Sequence, residues 1–200
     1  MDKISEVKQL SDEELASNVI AGSRTSFEEL AYRYRPRLFH FLRHRASTDQ
    51  DIEDLIQETF IKAFRNIDRY NSQWKFSTWL YTTAVRLAIS HYRSNKGKRT
   101  SFMPKSPSSD PQEIVIQKEE SQNIWALART LSKEQYEALC LRYMEDLSLK
   151  EIAKVMKKNQ IQIRVLLHRA RLNLAKKFKQ SARSGKFERT APAEHKFSLL

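Results

Sequence analysis

Three groups of residues have types and spacings that could do chemistry. The first is acidic: Asp51, Asp54 and Glu58 open an apolar-periodic run. Such carboxylates could hold a metal for phosphodiester hydrolysis. Alternatively, they occupy the first turns of a helix, where the dipole favours negative charge, and face a basic partner. The second group, Tyr70, Asn71, Gln73, Trp74 and Lys75, is polar and aromatic and lies between two apolar runs. Aromatic faces stack on unpaired bases and amides bond base edges, so this loop suits a single nucleic-acid strand. The third group is basic: Lys154, Lys157, Lys158, Arg164, Arg169, Arg171, Lys176, Lys177 and Lys179 share a stretch without acids. Inside it, Asn159, Gln160 and Gln162 suit adenine edges and Arg164 suits guanine in a major groove.

These groups need elements to position them. Ile52, Ile56, Phe60, Ala63 and Ile67 recur every third or fourth residue and predict a helix with one buried stripe. Asp51, Asp54, Glu58, Lys62 and Arg65 fall on its other face. The pattern breaks from Asp68 to Phe76, then Trp79, Leu80, Thr83, Leu87 and Tyr92 resume helical spacing beside the basic Arg86 and Arg93. Upstream, Ser11-Asp12-Glu13-Glu14 predicts a capping box with Leu10 and Leu15 as staple. A second helix starts at Thr25 or Ser26, and Pro36 kinks it or starts the next. From Lys96 to Glu113 the chain turns to Pro, Ser, Lys and Asp and reads as a linker. Helical periodicity returns from Ile114 to Ala128, and capping boxes follow at Ser132 and Ser148. A short helix through Ile152 and Met156, a turn at Lys157-Lys158-Asn159 and a longer basic helix make a helix-turn-helix pattern over Ser148 to Leu167. The polar tail from Gln180 reads as disordered.

The formal net charge of +12 favours a polyanionic partner. The single cysteine, Cys140, excludes an internal disulfide, and its apolar neighbours predict a buried thiol. With three glycines there is no phosphate-cradling loop, and the five histidines show no metal-ligand spacing, so no cofactor or metal is expected. Neither a signal peptide nor a membrane-spanning run is present, which predicts a cytoplasmic chain without direct membrane insertion.

Asp54-Leu55-Ile56-Gln57-Glu58-Thr59-Phe60, followed by Phe76-Ser77-Thr78-Trp79-Leu80, resembles region 2 of the extracytoplasmic-function (ECF) sigma factors. Leu139-Cys140-Leu141-Arg142-Tyr143, Leu147-Ser148-Leu149-Lys150-Glu151-Ile152-Ala153 and His168-Arg169-Ala170-Arg171 resemble region 4 of the same family. The resemblance implies an all-α fold with two small helical domains: 1–95 for core polymerase and the −10 element, and 114–179 for the −35 element. A flexible linker over 96–113 joins them, and 180–200 is a tail. It implies a non-catalytic initiation factor that binds core RNA polymerase and promoter DNA.

Carried across, Asp54 to Ile67 matches the helix that docks on the clamp helices of the largest polymerase subunit. That puts Asp51, Asp54, Leu55, Gln57, Glu58, Phe60, Ile61, Lys62 and Arg65 at that contact. Tyr70, Asn71, Gln73, Trp74 and Lys75, with Arg86 and Arg93, fall at the −10 element. Lys158, Asn159, Gln160, Gln162, Ile163, Arg164, Arg169 and Arg171 fall at the −35 element. Further implied partners are the flap of the second-largest subunit and an anti-sigma factor, which in some cases tethers its sigma factor at the membrane. The chain departs from the family pattern at Arg86 and Ser90, which leaves its −10 base preference open. It also departs at Lys157, Ile161 and Leu166, which predicts a slightly different turn and a weaker or altered −35 preference without loss of the fold. A two-domain helix-turn-helix regulator acting without polymerase is the competing reading.

Overall fold

The computed structural model describes residues 7–46, 48–95 and 119–183, and no strand occurs among them. The linker 96–113, the stretch 114–118 and the tail from 184 onward lie outside the described residues. A first bundle comprises α1 (Asp12–Ile20), α2 (Arg24–Leu42), α3 (Asp49–Arg65) and α4 (Phe76–Asn95), with a 3-10 turn at Ile67–Arg69. A second comprises α5 (Glu119–Ala128), α6 (Lys133–Leu139), a π-turn at Cys140–Met144, α7 (Leu149–Met156) and α8 (Gln160–Arg183). The last helix therefore continues past Gln180, where the sequence pattern placed the start of the tail.

Helix starts follow the local chemistry. Ser11 and Glu14, Thr48 and Asp51, and Ser148 and Glu151 each exchange side-chain and backbone hydrogen bonds in complete capping boxes. The box expected at Ser132 does not form: no side-chain cap bond is made there, and the Gln135 amide oxygen instead accepts from Asn173 on α8 (3.2 Å). Pro36 lies inside a continuous α2 capped by Ser23. The carbonyl its missing N–H leaves unbonded belongs to Tyr32, a residue 78% exposed.

Burial of the periodic residues holds each bundle together. Leu15, Leu30, Leu38, Leu42, Ile52, Ile56 and Leu80 are nearly inaccessible in the first, and Ala138, Leu141, Leu147, Ile152, Ile163 and Ala170 in the second. Fully burying a Leu or Ile side chain contributes roughly 1.5–3 kcal/mol. Cys140 is buried as expected, and burial pushes its thiol up to about 12. No described helix is long and apolar enough to cross a membrane.

The two bundles pack face to face, with α4 against α7. Hydroxyls and bases of the first bundle meet carboxylates of the second. Arg45 Nη2 bonds Glu137 Oε2 (2.7 Å), Tyr81 OH donates to Glu145 Oε1 (2.8 Å) and Thr78 Oγ1 donates to Glu151 Oε1 (3.0 Å). All three carboxylates are buried.

Candidate protein and nucleic-acid interfaces

The outward face of α3 carries Asp54, Gln57, Glu58, Ile61, Lys62, Phe64 and Arg65, all exposed. At its centre, Ile61 and Phe64 leave 44% and 48% of their surfaces in solvent, an apolar spot rimmed by charge. The Phe27 ring meets Phe64 at 4.9 Å and fixes its orientation. Three expected docking residues have other positions. Leu55 is 2% exposed and belongs to the core, because it widens the Ile52–Ile56 stripe. Phe60 is half-buried against Phe27 (6.3 Å). Asp51 closes the capping box with Thr48. Phe64 is the residue that the sequence reading missed, although it falls on the same face as Gln57 and Ile61.

The loop before α4 is built around Tyr70. Its ring lies among Phe76 and Trp79 (5.7 and 5.8 Å), and its hydroxyl donates to the Trp74 carbonyl (2.8 Å). Tyr70 is therefore a buried anchor and not a base-stacking surface; burial pushes its phenol up to about 12. Asn71 folds the tip by accepting the Gln73 N–H (2.9 Å). Gln73 and Lys75 are exposed and Trp74 is half-buried. Arg86 and Arg93 are exposed farther along α4.

The Trp74 ring is not open to solution on its outer face. Lys154 Nζ sits 3.6 Å and Lys150 Nζ 5.1 Å from its centroid, both contributed by α7. Burial among neighbouring bases, Arg86 and Lys150 included, lowers the Lys154 pKa. Lys75 Nζ bonds the Asp146 carbonyl (2.7 Å). A polar cavity of about 550 Å³ opens beside this loop between the bundles, lined in part by Asp12, Arg37, Trp74, Glu145 and Asp146.

In the helix-turn-helix, Lys157 takes the left-handed conformation (φ 53°, ψ 45°) that ends α7. The turn thus holds a lysine in a conformation that glycine adopts freely. Asn159 caps α8: its Oδ1 accepts from Gln162 N (2.8 Å), and Gln162 Oε1 accepts from Asn159 N (3.0 Å). Both amide oxygens are committed to the cap. Ile163, expected on the reading face, is 0% exposed and packs in the core. Lys158 pairs with Glu134 (2.9 Å). Gln160, Arg164 and Arg169 are exposed, Arg171 is half-buried, and Ile161 is 73% exposed. On the other side of α8, an apolar groove of about 510 Å³ is lined by Trp125, Leu139, Tyr143, Leu172 and Phe178 among others.

Residues 30–98 match the family model for sigma-70 region 2, and residues 121–174 that for sigma-70 region 4. The ECF RNA polymerase sigma factor BldN of Streptomyces coelicolor is 30% identical over 176 residues, covering 85% of this chain and 67% of that protein. The ECF RNA polymerase sigma-E factor of Escherichia coli is 29% identical over 169 residues, covering 74% and 84%. Two solved structures share the fold. One is CnrH in complex with the cytosolic domain of CnrY (TM-score 0.58, 20% identity, covering 84% of this chain and 97% of that one). The other is the sigma factor RpoE in complex with the anti-sigma factor NepR from Bartonella quintana (0.61, 22%, 76% and 96%). With two helical bundles in the order of regions 2 and 4, and a relative of this identity and coverage, the chain belongs to the ECF sigma factors of the sigma-70 family.

Proposed function

We propose that this chain acts by docking the exposed face of α3 on core RNA polymerase, capturing a −10 base at the Trp74 loop and reading −35 DNA with the start of α8. Polymerase and −10 binding then reside in 1–95, and −35 binding in 114–179. The observation that carries the reading is the α3 face: an apolar centre of Ile61 and Phe64 inside a rim of Asp54, Gln57, Glu58 and Arg65. Apolar anchors within a polar rim are the usual anatomy of a protein interface. A free-standing regulator has no use for such a face beside a base-capture loop. The apolar groove beside Trp125 and Phe178 suits a hydrophobic helix or loop, and the flap of the second-largest subunit is its occupant in this reading.

Initiation also requires the bundles to separate. The −35 and −10 elements lie about 25 base pairs apart, or roughly 85 Å of duplex at about 3.4 Å per base pair. In the closed arrangement α7 rests on α4 and covers Trp74, so the two readers cannot straddle that distance together. RpoE, which shares this fold, is found in complex with the anti-sigma factor NepR, and in this reading an anti-sigma factor is the partner that favours the closed form.

The test is in vitro transcription with core polymerase on fragmented genomic DNA, with the native chain or a chain carrying Asp54→Arg and Glu58→Arg. New start sites that disappear with the charge reversals are expected. Salt-sensitive duplex binding by the chain alone, with no new starts, would favour the regulator instead.

A further inference from the structure

The first turns of α8 present an unusual surface for a helix that enters DNA. Asn159 and Gln162, the amides best suited to base edges, have their side-chain oxygens engaged by each other's backbone N–H in the cap, which takes away the acceptor half of a bidentate contact to adenine. Leu166 is half-buried against the core and Ile163 fully so, which removes them from the outward face. What remains outward is Gln160, Ile161, Arg164 and Val165. Ile161 is 73% exposed and Val165 43%, one helical turn apart and hence side by side on one face. Both are β-branched, so χ1 is stiff and their methyl groups are held in place before any partner arrives.

The charge around this pair selects its partner. Lys157 and Arg164 flank it, both exposed, and no acid occurs anywhere in α8. An apolar pair inside a cationic rim fits a polyanion that itself carries apolar groups. In a duplex major groove the apolar group is the C5 methyl of thymine, which apolar side chains contact directly. Resting on the sigma-factor reading above, we propose that Ile161 and Val165 are specificity residues that recognise thymine methyl groups in the −35 duplex. Arg164 and Gln160 supply the polar contacts beside them, and the readable code shifts from amide–adenine bonds towards thymine methyls.

The experiment isolates the methyl group. The −35 duplexes preferred by holoenzyme, assembled from core polymerase and this chain, are selected from a randomised library. Each thymine is then replaced singly by deoxyuridine, which removes only the methyl, and binding is measured by competition. At one or more positions native holoenzyme should lose roughly fourfold in affinity, the transfer value of one buried methylene-sized group. Ile161→Ala or Val165→Ala should make holoenzyme bind thymine and deoxyuridine equally at its own position. Selected duplexes without thymine, or indifferent to deoxyuridine throughout, would overturn the inference and leave the sigma reading standing. So would a methyl effect that persists in both variants, which would place its origin in duplex shape. Failure to form any promoter-binding holoenzyme would overturn the sigma reading and this inference together.

Discussion

Lys157 holds the helix-turn-helix in a conformation that glycine would adopt freely, so Lys157→Gly should stabilise the second bundle. Its φ of 53° and ψ of 45° put a β-carbon where an L-residue pays about 1–2 kcal/mol. Glycine removes that strain but gains freedom in the unfolded chain, which costs about 0.4–1 kcal/mol. The difference is a net stabilisation of about 1 kcal/mol. The hydrogen bond that locks the turn, Lys158 N–H to the Ala153 carbonyl (3.0 Å), uses backbone alone and survives the change. The lysine side chain is exposed, so no packing is lost with it. For a chain of this length 1 kcal/mol shifts the melting midpoint by roughly 2–4 °C. Calorimetry should show that gain for Lys157→Gly, a smaller gain for Lys157→Asn, which tolerates this conformation, and none for Lys157→Ala. The alanine variant removes the same charge while keeping the strain. Equal midpoints for the glycine and alanine variants would refute the strain argument.

Two further outcomes follow from the site and the seam. Trp74→Ala in holoenzyme should weaken −10 strand capture by roughly five- to 150-fold, the equivalent of about 1–3 kcal/mol per stacked base, while binding to a −35 duplex is unchanged. Strand-opening assays on a promoter fragment would expose the idea as mistaken if both activities fell together. Glu145 provides a pH signature. Burial, with Asp12 nearby, raises its pKa despite Arg37 and the Tyr81 hydroxyl. A carboxyl that binds its proton more tightly in the closed protein contributes stability that is complete below the ordinary carboxylate range and is lost as pH rises through its raised value. Glu145→Gln should therefore gain on the native chain in melting midpoint as pH increases from about 5 to 8, and curves that stay parallel would refute the assignment.

Much of the architecture was legible in local pattern. The boxes at Ser11 and Ser148 and the stripe through Ile52, Ile56 and Ala63 are written within a few residues of each other, and the structure reproduces them. What misled was the choice of face. A resemblance names a segment without saying which of its side chains point outward, so it puts Leu55 and Ile163 at interfaces although both are core. Tyr70 is ambiguous for a related reason: an aromatic residue at a loop edge reads alike in sequence whether it anchors the loop or caps a base. Other features were beyond any short window. Gln135 is drawn from the Ser132 cap by Asn173, Arg45 finds Glu137, and Lys154 settles over Trp74. Each of those partnerships links residues far apart in the chain and depends on how the helices pack.

The π-turn at Cys140–Met144 sets the phase of the seam. Its wider step, closed by the Glu145 N–H on the Cys140 carbonyl (3.3 Å), accommodates one residue more than an α-helix would over the same span. Glu137 and Glu145 are thereby brought about two turns apart, on one azimuth, where an unbroken α-helix would leave them roughly 80° out of step. Straightening this step into an α-helix with every residue kept would swing Glu145 roughly 80–100° away from Tyr81 and Arg37. Removing one residue between 140 and 144 would instead straighten the helix and leave Glu145 on nearly the same azimuth. The bulge is therefore the one place on this helix where a single-codon deletion would keep the two bundles in register; the same deletion between Glu137 and Cys140 would leave the bulge in place and turn Glu145 about 100° off the seam.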